Sequence, residues 1–387
     1  MRIAMLTYSV KPRGGVVHAL EVSEALARRG HDVELAALGR PGEELFRPAA
    51  VPLHVVRHTP PDDEPFDVRI QCMLEAYAAG LRPWLAAGGY DIVHAQDCLS
   101  ANAALEVRAA GVIDHVIRTV HHVDDFTSPS LVECQDRSIL DPDRVLCVSK
   151  PWVARLAEDF GVDAGLVANG VDPVRFRPAL DAAEREAERS RAGLGDRFTV
   201  LTVGGIEPRK GSLTLLEGFA ALRRRAPELD PLLMIAGGMT LFDYRHERDR
   251  FAERAHELGV TDHVRVLGPL PDGEIERLLR ACDAFAFPSV KEGFGLVALE
   301  ALAADLPVVA SDLDVLRGYL ADGESALLVP VGDAEALADA LARVAADGAL
   351  RDRLRRGGRR VVAAHTWDAA AAAHERAYEA FLPAGVR

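Results

Sequence analysis

The sequence predicts an α/β protein built from two Rossmann-like, doubly wound domains. Three observations carry that expectation. Short apolar runs alternate with helical tracts along nearly the whole chain, the pattern of a mostly parallel sheet covered on both faces. The alternation occurs twice, on either side of a turn-rich stretch from Asn169 to Pro178. Finally, 387 residues are long for one core and comfortable for two.

The first set opens with Arg2 to Thr7 as a strand, then a loop to Arg13, the pair Gly14-Gly15, and a helix from about Val16 to Arg29 stopped by Gly30. His31 to Leu38 reads as the next strand. A strand, a glycine pair and a helix open a nucleotide-binding half, although no GxGxxG is present. The two glycines form a tight turn or let a substrate approach the backbone closely. Further strands are expected at Leu53–Arg57, Asp91–Ala95, His115–Val120, Arg144–Val148 and Leu166–Ala168, with helices near Asp67–Ala87, Ser100–Ala110 and Pro151–Phe160 between them. Ligands of such sheets bind outside the carboxyl ends of the strands. Gln96-Asp97, Thr119 to Asp125 and Ser149-Lys150 stand there, and the second piece concentrates two imidazoles and two carboxylates.

Asn169-Gly170-Val171-Asp172-Pro173 marks the boundary, and Ala182 to Arg191 reads as a charged, exposed linker helix. The second set places strands at Phe198–Val203, Leu232–Ala236, His263–Leu267, Ala284–Phe287, Leu306–Ala310 and Ala326–Val329. After the first of these come Gly204-Gly205-Ile206-Glu207-Pro208-Arg209-Lys210-Gly211 and a helix from Ser212 to about Arg225. Two adjacent cations at a glycine-bounded strand end, just before a helix, suit a diphosphate. The tail from Asp333 to Leu382 reads as helical, broken at Gly357-Gly358 and again at His365-Thr366.

The stretch that organises the chain is Pro288 to Ser311. A buried strand leads into Gly293-Phe294-Gly295, a helix opens there, and a second buried strand follows. This is a βαβ unit whose helix N-terminus offers free N–H groups to an anion. Glu292 sits in the turn and Glu300 eight residues on, offset by about 12 Å if every step were helical. Two acids flanking such a site fit a molecule with hydroxyls at both ends and a charged middle, as a nucleotide sugar has. Taken singly, Glu292 reads as a helix cap and Glu300 as a solvated face residue; the combination with Gly-Phe-Gly and a following buried strand favours the functional reading.

Glu292-x7-Glu300 with Gly293-Phe294-Gly295 resembles the motif of retaining, nucleotide-sugar-dependent glycosyltransferases of the GT-B fold, family-4 type (glycosyl transferases group 1). Asn169 to Asp172 is similar to that family's hinge, and Thr119-x-His121 to its Thr-x-His. The resemblance implies two Rossmann-like domains facing across a cleft: residues 1–171 on the acceptor side, 172–365 on the donor side, and 366–387 as a helix returning to the first domain. It implies that His121 and Glu292 lie by the transferring sugar and that Arg209 and Lys210 hold the diphosphate. The family's commoner pattern has its arginine five places before the lysine, where this chain has Gly205, so Arg209 is expected as the substitute. Substrate contacts are further implied at Gly14, Gly15, Gly293, Phe294, Gly295 and Leu296, with Glu300 on the ribose. The implied partners are a nucleoside diphosphate sugar and an unidentified acceptor. Neither a cofactor nor a metal is expected, since no DxD stands at a strand end.

Composition narrows the rest. A net charge of -14 argues against a nucleic-acid partner. The only lysines, Lys11, Lys150, Lys210 and Lys291, all fall in expected loops at strand ends, where an ammonium serves a phosphate. Five scattered cysteines without CxxC spacing read as reduced thiols. No apolar run has the length of a membrane span and the first strand is no secretion signal, so a cytoplasmic location is expected, with peripheral membrane contact left open. The rival functions on this fold are a nucleotide-sugar epimerase, a phosphorylase and a non-catalytic nucleotide-sugar binding protein. The missing GxGxxG counts against a dehydrogenase.

Overall fold

A computed structural model of the chain describes residues 1–61, 63–238 and 244–382. The last five residues of the expected terminal segment 366–387 therefore lie outside the described residues. The chain divides into two compact units, one of residues 1–169 with 367–387 and the other of residues 170–366.

The first unit holds seven strands, β1 (Arg2–Thr7), β2 (Asp32–Gly39), β3 (Leu53–Arg57), β4 (Ile92–Ala95), β5 (Ile117–Val120), β6 (Arg144–Cys147) and β7 (Gly165–Leu166), in the order β3-β2-β1-β4-β5-β6-β7. All of its pairings are parallel. Its helices are α1 (Gly14–Arg28), α2 (Phe66–Gly88), α3 (Cys98–Ala109), α4 (Pro129–Leu140) and α5 (Lys150–Phe160). The strands read as near-continuous apolar runs because helices cover both faces, and Ile3, Met5, Leu6, Leu35 and Ile92 are fully buried.

The second unit repeats the plan with β8 (Thr199–Val203), β9 (Leu232–Ala236), β10 (Val264–Gly268), β11 (Ala284–Phe287), β12 (Val308–Ser311) and β13 (Leu327–Val329), ordered β10-β9-β8-β11-β12-β13. These pairings are parallel too. Its helices are α6 (Ala182–Arg191), α7 (Ser212–Arg225), α8 (Arg245–Glu257), α9 (Glu274–Ala281), α10 (Leu296–Ala303), α11 (Asp314–Arg317), α12 (Ala334–Ala346) and α13 (Gly348–Ala364). Phe219 of α7 and Leu337 of α12 are fully buried in one cluster with Val200 and Ala284 of the sheet. The last helix, α14 (Trp367–Phe381), packs on α1 in the first unit, where Arg29 pairs with Asp368 and Glu375. No helix among the described residues is long and apolar enough to cross a membrane.

Each sheet is therefore doubly wound, with its winding reversing between β1 and β4 in one unit and between β8 and β11 in the other. At such switch points the loops leaving two neighbouring strands part and leave a crevice. The loops in question are 8–13 and 96–97 in the first unit and 204–211 and 288–295 in the second.

The structure corrects several local expectations. Gly14 and Gly15 are the first residues of α1, not a turn before it, and neither has a positive φ. The 182–191 helix is no linker. Its Arg189 is buried, donates to the carbonyls of Ala281, Gly195 and Arg197, and pairs with Asp283, pinning α6 to the second unit. Gly357-Gly358 does not break the tail, because α13 runs through both. A Cβ at Gly357 would lie 2.0 Å from the Glu324 carbonyl oxygen, so these glycines serve close packing. The strand expected at Leu306–Ala310 begins later, at Val308, after Asp305 at φ 57° and Pro307. Helix α4 was not expected at all.

Candidate active site

In the second unit the site begins at the carboxyl end of β8. The chain turns through Gly204 and Gly205 into a short 3-10 turn, Pro208–Lys210, and reaches Gly211 at φ 65°. A Cβ on Gly211 would stand 2.0 Å from the Pro288 carbonyl oxygen, so only glycine lets this loop lie against the end of β11. The Val290 N–H donates to the Arg209 carbonyl at 2.8 Å and ties the two loops together.

That contact brings three charges to one point. Lys210 Nζ lies 2.7 Å and Arg209 Nη1 3.4 Å from the same oxygen, Oε1 of Glu292. Glu292 is buried, whereas the Arg209 side chain is about one-third exposed. Burial pushes the Glu292 carboxyl up, but the Lys210 and Arg209 charges outweigh it and hold the group below its ordinary range. Arg209 is held further by Glu207 Oε1 at 3.3 Å and the Lys291 carbonyl at 3.2 Å, and the Lys210 ammonium sits 5.2 Å from the Phe287 ring centre. Two cations confined beside one buried carboxylate can receive a second anion with little rearrangement.

The glycine turn departs from a continuous helix. Gly295, at φ 93°, is the N-cap, and α10 begins only at Leu296, so just the segment from there to Glu300 is helical. The 12 Å helical offset between the two acids therefore does not apply. The Phe294 side chain is buried, stacked on Tyr319 at 4.9 Å, and the Tyr319 hydroxyl bonds the carbonyls of Phe294 and Gly295 at 3.2 and 3.1 Å. Those contacts leave the Phe294 side chain to packing and fix the turn from behind. Glu300 is partly exposed on α10.

In the first unit the site is of another kind. His121 follows β5, and its Nε2 lies 3.1 Å from Gln96 Oε1 at the end of β4. A Cβ on Gly15 would touch the same ring edge at 3.4 Å, whereas one on Gly14 would meet no atom within 4 Å. His18, buried on α1, meets His121 edge-on at 4.8 Å and bonds Asn169 Oδ1 through Nδ1 at 2.7 Å. Behind them His94 bonds Thr119 Oγ1 at 2.8 Å and the Tyr378 hydroxyl at 2.7 Å, with His374 alongside. Burial pushes all four imidazoles down, His18 to about 3, His374 to about 4, and His94 and His121 well below the ordinary value. They are neutral at physiological pH. His122 pairs with Asp124 at 3.3 Å, partly exposed.

Sequence reading thus named His121 but missed His18, His94, His374, Tyr378 and Glu207. Their signal was present as polar residues inside apolar patterns, His94 within Ile-Val-His-Ala and His18 within Val-Val-His-Ala-Leu.

Comparisons with known proteins agree with this architecture. The model for glycosyl transferases group 1 matches residues 184–361, and that for glycosyltransferase family 4 matches residues 12–175. The phosphatidyl-myo-inositol mannosyltransferase of Mycobacterium leprae (strain TN) is 32% identical over 100% of this chain and 98% of its own length. A D-inositol 3-phosphate glycosyltransferase of Saccharomonospora viridis is 31% identical over 95% and 91%. Among solved structures, sucrose-phosphate synthase from Thermosynechococcus elongatus superposes with a TM-score of 0.80 at 24% identity, covering 98% of both chains. Anabaena HepE, solved with UDP-glucose, superposes at 0.78 and 17% identity, covering 98% of this chain and 99% of its own. Fold and relatives together define a glycosyltransferase of the GT-B fold. The chain belongs to the family-4 type of these enzymes.

Proposed function

We propose that this enzyme moves a hexose-type sugar from a nucleoside diphosphate sugar to a hydroxyl acceptor, with retention at the anomeric carbon and without a metal ion. The observation that carries the reading is the convergence of Lys210 and Arg209 on Glu292 at the switch point of the second sheet. In this reading the diphosphate takes the two cations, and the N–H groups at Gly293, Gly295 and Leu296 add to them. The leaving charge is then stabilised by preorganised groups. Glu292, released from its cations, accepts hydrogen bonds from the sugar hydroxyls. Glu300 holds the ribose, and His121, a neutral imidazole, contacts the transferring sugar. Two positive side chains on the diphosphate supply the neutralisation that a divalent cation supplies elsewhere.

For the acceptor we favour an inositol carrying a phosphate ester. That class is common to the names of both relatives, the mannosyltransferase and the D-inositol 3-phosphate glycosyltransferase. The test is transfer to an inositol phosphate in EDTA, with the product's anomeric configuration read by NMR. Transfer should persist with chelator present and give the donor's configuration. Turnover that returns only with magnesium or manganese, or an inverted product, contradicts the proposal.

A further inference from the structure

Gln96 is almost fully buried, 1% exposed, between two imidazoles. Its Oε1 lies 3.1 Å from His121 Nε2, and its Nε2 lies 3.0 Å from Met5 Sδ and 3.3 Å from His94 Nε2. A primary amide offers an acceptor on one side and donors on the other, and a thioether has no hydrogen to give. The amide nitrogen therefore faces Met5, which turns the oxygen towards His121. An oxygen that only accepts requires a hydrogen on His121 Nε2. Since His121 is held neutral, its Nδ1 must then be bare.

The packing agrees with that assignment. The Cδ2–Nε2 edge of His121 is turned into the unit, with Gly15 against it and Gln96 bonded to it. With Nε2 engaged by Gln96, Nδ1 is the ring nitrogen through which His121 would meet a ligand. The network continues to α14: His94 Nε2 lies 3.3 Å from the Gln96 amide nitrogen and 2.8 Å from Thr119 Oγ1, and its Nδ1 lies 2.7 Å from the Tyr378 hydroxyl.

We propose that Gln96 is a positioning residue that locks His121 in the Nε2–H tautomer, so that Nδ1 accepts a hydrogen bond from a substrate hydroxyl. The second half of this inference rests on the role given to His121 above.

The test is nitrogen-15 NMR of the histidine rings in the full chain, with His121→Ala used to assign the signal. The wild type should show His121 with a protonated Nε2 and an unprotonated Nδ1. Gln96→Leu should give a mixture of tautomers and lower kcat by up to about a hundredfold, with the donor KM changed little. A wild-type ring protonated on Nδ1 or averaging between tautomers overturns the proposal, and this reading does not depend on whether the variants fold. An unchanged tautomer in Gln96→Leu overturns it as well. Normal turnover of His121→Ala would overturn the role of His121 instead, while the ring spectrum still judges Gln96.

Discussion

The two units share a strand order and a switch point but fill the ends of their strands with opposite chemistry. In the first, His18, His94 and His374 lie buried and His121 partly buried, all as neutral rings: His18 bonds Asn169, His94 bonds Thr119 and Tyr378, His121 bonds Gln96, and His374 bonds the Ala370 carbonyl. In the second, Lys210, Arg209 and Glu292 are charged and compensate one another. Under the proposed function the difference is one of ligand. A cluster of neutral rings suits hydroxyls, which need direction rather than charge, and paired ions suit a diphosphate. Burial serves both, by keeping imidazoles unprotonated and by making the ion pairs strong.

The comparison is tested most severely by acid. The unfolded chain protonates its histidines near pH 6.5, whereas His18 and His374 hold out to about 3 and about 4 in the folded protein. A depressed pKa means that the unfolded state binds more protons as the pH falls below 6.5, so stability is lost there. At pH 5 each of these two histidines costs about 2 kcal/mol. Glu292, depressed from 4.5, stays charged over the same interval and withdraws its contribution only at lower pH. Hydrogen exchange at pH 7 and pH 5 should therefore show protection falling in residues 1–169 and held in 170–366. Equal loss in both units would erase the distinction.

Glycine draws the next contrast. Gly211→Ala places a Cβ on the Pro288 carbonyl at a positive φ and should cost about 3 kcal/mol or more in denaturant unfolding, with donor turnover lost. Gly15→Ala adds a Cβ only to ordinary contact with His121 in a helical residue and should be neutral or slightly stabilising. Reversal of that order would mean that the first unit's glycines, not the second's, are the constrained ones.

A smaller effect isolates the charges. Lys210→Ala removes the closer cation from Glu292 and should weaken nucleoside diphosphate binding by about 1.5–3 kcal/mol, roughly ten- to a hundredfold. Steady-state kinetics in the donor would reveal it. Unchanged kinetics in a folded variant would place the phosphate elsewhere.

How far these sites were legible in the sequence follows from what each residue needs. Lys210 and Glu292 could be picked out because glycine-framed loops at strand ends are local features, and His121 because Thr119 to Asp125 gathers polar residues just past a strand. The convergence of Arg209 and Lys210 on one oxygen was hidden, because it depends on Gly211 letting two loops touch, with Lys210 and Glu292 82 residues apart in the chain. The histidine cluster was hidden for a similar reason. His374 and Tyr378 come from the last helix, and a lone imidazole in an apolar run carries no mark of its partners. Gly357 and Gly358 misled because a glycine that permits close approach reads, in one dimension, like one that ends a helix.

The central claim is that Lys210 and Arg209 exchange Glu292 for the donor's diphosphate. Calorimetric titration of Glu292→Gln with UDP, GDP and ADP, beside initial rates with the corresponding sugar donor, tests it directly. The carboxylate competes with the diphosphate for Lys210 Nζ, now 2.7 Å away. Its removal should leave nucleotide affinity intact or raise it, while turnover falls at least tenfold for want of a group to hold the sugar. A loss of nucleotide affinity that parallels the loss of turnover would show that Glu292 only supports the loop, and would contradict the exchange.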